Sequence, residues 1–261
     1  MRNALAIFNR ELKSYFTSPV AYAVLAAFLL IAGYFFYAII TSFMQYAMRA
    51  AMQAQYYQQA PPPINVNMMA LRPFFHNISL VMIFIIPFIT MRLYAEDKKT
   101  GTIELLFTSP IRTGETLFGK YAAALVLFCA MLGGTLIYQL MLFIYGRPEL
   151  GQILSGYLGL VLEGATFIAI GIFISSLTEN QLVAGFITGV LLLLFWVMGW
   201  AQDFAGPTLG AFLSYASLLT HFDEFAKGVI DFKDILLYLS YIAFFLFLTV
   251  TSVESMKWRT R

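Results

Sequence analysis

Six stretches of this chain are long and apolar enough to cross a bilayer, and they leave room for little else. A helix needs about 20 apolar residues to span the hydrocarbon core. Residues 20–41, 74–93, 121–145, 154–177, 182–202 and 235–253 each supply such a run. In lipid every backbone polar group must be satisfied internally, so separate runs of this length predict helices. Charged residues make up 11% of the 261 positions, against about 25% in a soluble domain. An ordinary soluble domain is excluded. The expectation is a single all-α, polytopic membrane domain with the lipid bilayer as its solvent and no nucleic-acid partner.

Five of the runs carry no charge until their ends; the fourth contains Glu163. With the N-terminus inside, the inner segments hold Arg2, Arg10, Lys13, Arg92, Lys98, Lys99, Arg112, Lys120, Lys257, Arg259 and Arg261. The outer ones hold Arg49, Arg72, Arg147, Lys227 and Lys233. Basic residues concentrate on the cytoplasmic side, so both termini are expected there. The first apolar run is too long for a signal-peptide core and reads as a first span. Ahead of it, Leu5, Phe8, Leu12, Tyr15 and Phe16 recur at helical spacing, with Arg2, Arg10 and Lys13 on the other side. A basic amphipathic helix of this kind, over 2–17, belongs in the membrane interface.

Between spans two and three lies a polar island, residues 92–120, RLYAEDKKTGTIELLFTSPIRTGETLFGK. Gly101 can take a turn conformation that other residues avoid. A short helix over 102–108 is expected after it, with Glu104 near the positive end of the helix dipole and Pro110 as its stop. Leu105, Leu106 and Phe107 give that helix an apolar tip suited to a groove on another protein. On composition alone, a loop tucked against its own spans accounts for the island equally well. The outer segments are expected at 42–73 and 203–234. The first begins as a helical continuation of span one and ends at Pro61-Pro62-Pro63; the second forms short surface helices. Pro87 is expected to kink the second span.

Several absences bound the chemistry. The chain has no G-x-x-x-x-G-K-[ST] phosphate loop, no H-E-x-x-H and no G-x-S-x-G. Cys129 is the lone cysteine and reads as a packing residue. No metal site and no catalytic site is expected. His76, His221, Asp223 and Glu163 are the residues an embedded enzyme would have to use, and their spacing supports none. Glu163 lies about 12–15 Å along its helix from the outer end. A carboxyl at that depth is costly and marks a candidate functional residue. Gly164 and Gly171 on the fourth span, and Gly185 and Gly189 on the fifth, let helices approach closely. Packing within the chain comes first as their role and a protomer interface second. Met44, Met48 and Met52 form an outer stripe. Thioethers suit Cu(I), but methionine is also common at adaptable protein surfaces, so an outer partner is the preferred reading.

Four patches together resemble the ABC-2 type permeases, the membrane subunits of ATP-binding-cassette exporters: NRELKSYFTSPVAY, the E-x4-G-T-x-E-L-L-x3-P loop, SSLTENQ, and HFDEFAKGVIDFKDILLYLS. They are especially similar to the gliding-motility-associated branch and its relative from nitrous-oxide-reductase maturation. The resemblance implies the type V exporter-like fold, with 2–17 as a connecting helix and 94–119 as a cytoplasmic coupling loop. It implies coupling roles for Glu96, Gly101, Thr102, Glu104, Leu105, Leu106 and Pro110. It further implies separate ATPase subunits that hold ATP and Mg, a second permease copy or related permease, and a prokaryotic inner membrane. This chain itself is expected to be a non-catalytic subunit that binds no cofactor. The resemblance does not account for the segment 42–73, which motivates an alternative, in which the chain anchors an outer-side or accessory protein and transmits motion to it without moving a substrate.

Overall fold

The computed structural model describes residues 2–58, 60, 65–104, 111–146, 148–201, 204 and 206–259. Helix α1 (Arg2–Thr17) leads through Ser18 into α2 (Pro19–Tyr56). A π-turn (Asn67–Leu71) opens α3 (Arg72–Thr90), followed by the short α4 (Ala95–Lys99). Then come α5 (Thr113–Tyr145), α6 (Leu150–Leu177), α7 (Gln181–Ala201), α8 (Gly206–Ala216), α9 (Leu218–Ala226) and α10 (Phe232–Arg259). Among the described residues there is no strand. Six helical stretches are long and apolar enough to cross a membrane. The chain is an all-α, multi-pass membrane protein.

Local sequence explains the joints. Pro19 sits in the first turn of α2, where its missing N–H is harmless. Asn180 caps α7 by accepting from Leu182 N at 3.0 Å, and Ser217 caps α9 by accepting from Thr220 N at 3.3 Å. Two elements overrun the lengths read from hydropathy. α5 begins at Thr113, because its polar first turn packs on α1 and is held by Arg112 N donating to Glu115 at 3.4 Å. α2 runs on to Tyr56. At 1.5 Å per residue its 38 residues reach about 57 Å, nearly twice the ~30 Å hydrocarbon core.

α3 and α6 are mostly buried; only a small part of α2, α7 and α10 is buried within the chain. In the absence of a hydrophobic drive between helices in lipid, close packing decides how they associate, and the glycines of α6 permit it. An added Cβ at Gly164 would lie 2.2 Å from Phe128 of α5, and one at Gly171 2.2 Å from Thr90 of α3. Gly156 and Gly159, which the sequence reading passed over, give the same room to Phe75 of α3 and to Phe225 and Phe222 of α9. For Gly164 and Gly171 the close contact is therefore within the chain.

The bundle has two distinct ends. One gathers α1, the 92–120 loop and the turn between α6 and α7, and is called the loop end. The other gathers the extension of α2, the π-turn, α8 and α9, and is called the arm end.

Candidate functional site: the loop end

The 92–120 island is fastened at several points. After α3 the chain turns at Met91–Tyr94, and Ser175 of α6 satisfies that turn. Its hydroxyl donates to Met91 O at 3.0 Å and accepts from Tyr94 N and Ala95 N, both at 3.1 Å. Lys98 Nζ donates to Ser176 O. The two serines that open the SSLTENQ patch thus hold the start of the loop. Tyr15 of α1 is buried, donates to Ile89 O at 2.9 Å, and lies under the Arg92 guanidinium at 4.1 Å.

The tip projects. Glu96, Gly101, Thr102 and Glu104 are exposed, whereas Ile103 between them is buried. Gly101 has φ +72°, the left-handed region where a Cβ is penalised. Residues 102–104 begin a helix; Leu105, Leu106 and Pro110 lie outside the described residues. Thr102 Oγ1 donates back toward Asp97, at 3.2 Å to both its carbonyl and a carboxylate oxygen.

Sequence reasoning missed the residue that ties this end together. Lys120, 1% exposed, sits at the start of the third apolar run. Its Nζ lies 2.9 Å from Glu11 Oε1 on α1 and 2.7 Å from Asp97 Oδ2 on the loop, with the Tyr94 ring at 5.4 Å. Arg10 adds a second cation at 2.7 Å from Glu11, so two positive charges meet two negative ones. Burial works to raise the Glu11 carboxyl, but Lys120 and Arg10 overcome it and hold it below the usual carboxylate range. Gly119 lets α1 lie directly on α5: a Cβ there would be 2.8 Å from Ala4 O and 2.9 Å from Ile7. Lys120 is separated from Glu11 by 109 positions, and nothing local in the sequence signals the pairing.

This end is braced from several helices; among the described residues no cluster of three or more His, Cys, Asp or Glu is placed to hold a metal. Residues 5–259 match the model of the family described as "ABC-2 family transporter protein". The chain belongs to the ABC-2 transporter family. A curated relative, described as "Probable multidrug ABC transporter permease YbhR" of Escherichia coli (strain K12), is 29% identical over 87 residues, 33% of this chain and 23% of the relative. Its counterpart from Escherichia coli O157:H7 matches to the same extent. The aligned part spans about a quarter of those relatives' length. As an ABC-2 permease the chain is a membrane subunit of a transporter, in a family that is generally non-catalytic.

The other residues singled out in the sequence lie elsewhere in this ABC-2 bundle. Glu163 of α6 is 1% exposed; its Oε1 accepts from Ser79 Oγ of α3 at 2.8 Å, and its Oε2 has no hydrogen-bond partner among the described residues. Gly185 and Gly189 line an apolar groove of about 420 Å³ between α7 and α3, facing Met91 and Pro87. Met44, Met48 and Met52 are exposed along α2.

The two histidines are at the arm end, in separate clusters. Asp223 of α9 accepts from Arg72 through both Nε (3.0 Å) and Nη2 (2.6 Å), pairs with His76 Nε2 at 2.9 Å, and lies 2.7 Å from Lys227. Burial opposes its charge, yet the His76, Lys227 and Arg72 hydrogen bonds prevail and hold its carboxyl well below the usual range. His221 is buried, with Nδ1 on Asp234 and Nε2 facing Tyr215 O.

Proposed function

We propose that this chain is the permease subunit of an ABC-2 transporter in a prokaryotic inner membrane, driven by separate ATPase subunits that seat on the loop end. In this reading the loop end and both termini are cytoplasmic. The observation that carries it is the form of the 92–120 island: an exposed tip on a base that Ser175 and Ser176 lock to α6 and Lys120 to α5. A soft loop would absorb a push, whereas a braced one passes it on. Glu96, Gly101, Thr102 and Glu104 then face the ATPase, together with Leu105, Leu106 and Pro110. ATP and Mg are held by that partner. The permease works with a second copy of itself or with a related permease.

Affinity capture of the tagged chain from native membranes in mild detergent tests this. A P-loop ATPase is expected in about equal amount, and it is lost when residues 101–106 are scrambled. Gly101→Pro is expected to uncouple ATP hydrolysis while leaving membrane insertion intact, because proline cannot adopt φ +72°. Capture of the chain without an ATPase in any detergent would overturn the reading.

The length of α2 favours a second reading, in line with the resemblance to the gliding-motility branch. Its exposed outer part, carrying Met44, Met48 and Met52, would hold a protein on the far side and move it. Deleting residues 49–63 separates the two. Loss of a co-purifying outer protein with ATPase coupling intact supports anchoring; unaltered recovery counts against it.

A further inference from the structure

We propose that Lys120 is a positioning residue that makes α1 move with the loop, so that α1 is a driven part rather than a passive float at the membrane surface. The proposal rests on the ATPase reading above and extends it to a contact path. The path begins at the exposed tip. Thr102 holds Asp97 by hydrogen bonds to its carbonyl and carboxylate. Asp97 holds Lys120 at 2.7 Å, and Lys120 holds Glu11 of α1 at 2.9 Å. Each link is short, and the central cation is sealed from water.

A lysine is an expensive means of packing two helices. Taking an ammonium and its partners out of water is costly before their attraction repays it, and an apolar side chain of similar volume often serves stability equally well. What the charge adds is an alignment: one Nζ fixes two carboxylates from elements that the chain separates by more than 80 positions. Gly119 removes the alternative, a sliding contact, since α1 lies against the α5 backbone there. Two further α1 contacts, Tyr15 on Ile89 O and Arg92 over the Tyr15 ring, reach the chain just before and at the start of the same loop. α1 therefore lies along α5 and is joined to the loop from both sides.

The test uses the permease with its ATPase in nanodiscs, in a Cys129→Ala background, with spin labels in two pairs. One pair reports the loop tip (Thr100 against Thr178), the other α1 (Asn9 against Thr178). Pulsed-EPR distances are compared without nucleotide and with ATP and vanadate. In the wild type both distances are expected to shift. In Glu11→Gln and in Asp97→Asn, each of which leaves Lys120 one carboxylate, the loop shift is expected to persist while the α1 shift is lost. Lys120→Arg is expected to keep both. An α1 label that shifts equally in Glu11→Gln and Asp97→Asn would overturn the role of Lys120 and leave the ATPase reading standing. A loop label that stays still in the wild type would overturn the ATPase reading, and this proposal with it.

Discussion

Each end of the bundle has a charge cluster that joins separate helices, and the two are built oppositely. At the loop end Lys120 is 1% exposed between Glu11 and Asp97. At the arm end Asp223 is 24% exposed among Arg72, His76 and Lys227, which are themselves 30–38% exposed. The sealed cluster has a cation at its centre and must stay paired, because a buried charge that loses its partner has no water to turn to. The wet cluster has an anion at its centre and three replaceable donors, so solvent can substitute for any of them. The same count of close charges therefore means rigidity at one end and tolerance at the other.

That contrast can be broken experimentally. Lys120→Met should have the largest effect. It leaves Asp97 without its cation and Glu11 with Arg10 alone, in a site where both carboxylates are largely buried, and removing one partner of a buried ion pair costs about 3–5 kcal/mol. Thermal unfolding in detergent should register a large fall, or the protein should fail to accumulate. Gly119→Leu comes next. It forces a side chain into the space of Ala4 O and Ile7, and overpacking of this kind costs about 1–3 kcal/mol. Asp223→Asn should cost least, because Arg72, His76 and Lys227 are partly exposed and water can replace what they lose. A larger loss for Asp223→Asn than for Lys120→Met would reverse the comparison.

Salt and acid sharpen it. Raising ionic strength should shrink the Asp223→Asn difference and leave the Lys120→Met difference in place, since buried pairs are screened far less. Glu11 and Asp223 are both held below their ordinary values. Their contribution to stability is present above the unfolded values of about 4.3 and 3.9 and is lost as the pH falls below these toward the lowered folded values. Melting temperature followed from pH 7 down to pH 3 should drop less steeply in Asp223→Asn than in the wild type.

Hydropathy carried the helical architecture well, because each crossing is a run of apolar residues that no other structure could satisfy in lipid. It carried the ends poorly. α5 gains its polar first turn from contact with α1, whereas the continuation of α2 was legible from its helix-forming residues, which hydropathy counts as outside. The exposed tip of 92–120 was legible from Gly101 and the charges around it. The brace beneath was not, for Lys120 reads as one more basic residue at a span boundary until Glu11 and Asp97 are brought to it. Glu163 stood out by its depth, yet Ser79, its hydrogen-bond donor, is an unremarked serine 84 positions earlier. Pairings of this range leave no mark within a single sequence.

The glycines of α6 have one more consequence. At about 100° per residue, Gly156, Gly159, Gly164 and Gly171 fan around one side of the helix, and the side chains they admit come from α3, α5 and α9. α6 is thus a keyed shaft. Turning it about its own axis would drive a phenyl ring or Thr90 into backbone, so it has no rotary freedom. On the proposed ATPase reading, a stroke at the loop would carry α6 and the helices keyed to it as one block, and gearing to a second permease would fall to α2 and α7, whose outer faces meet nothing among the described residues.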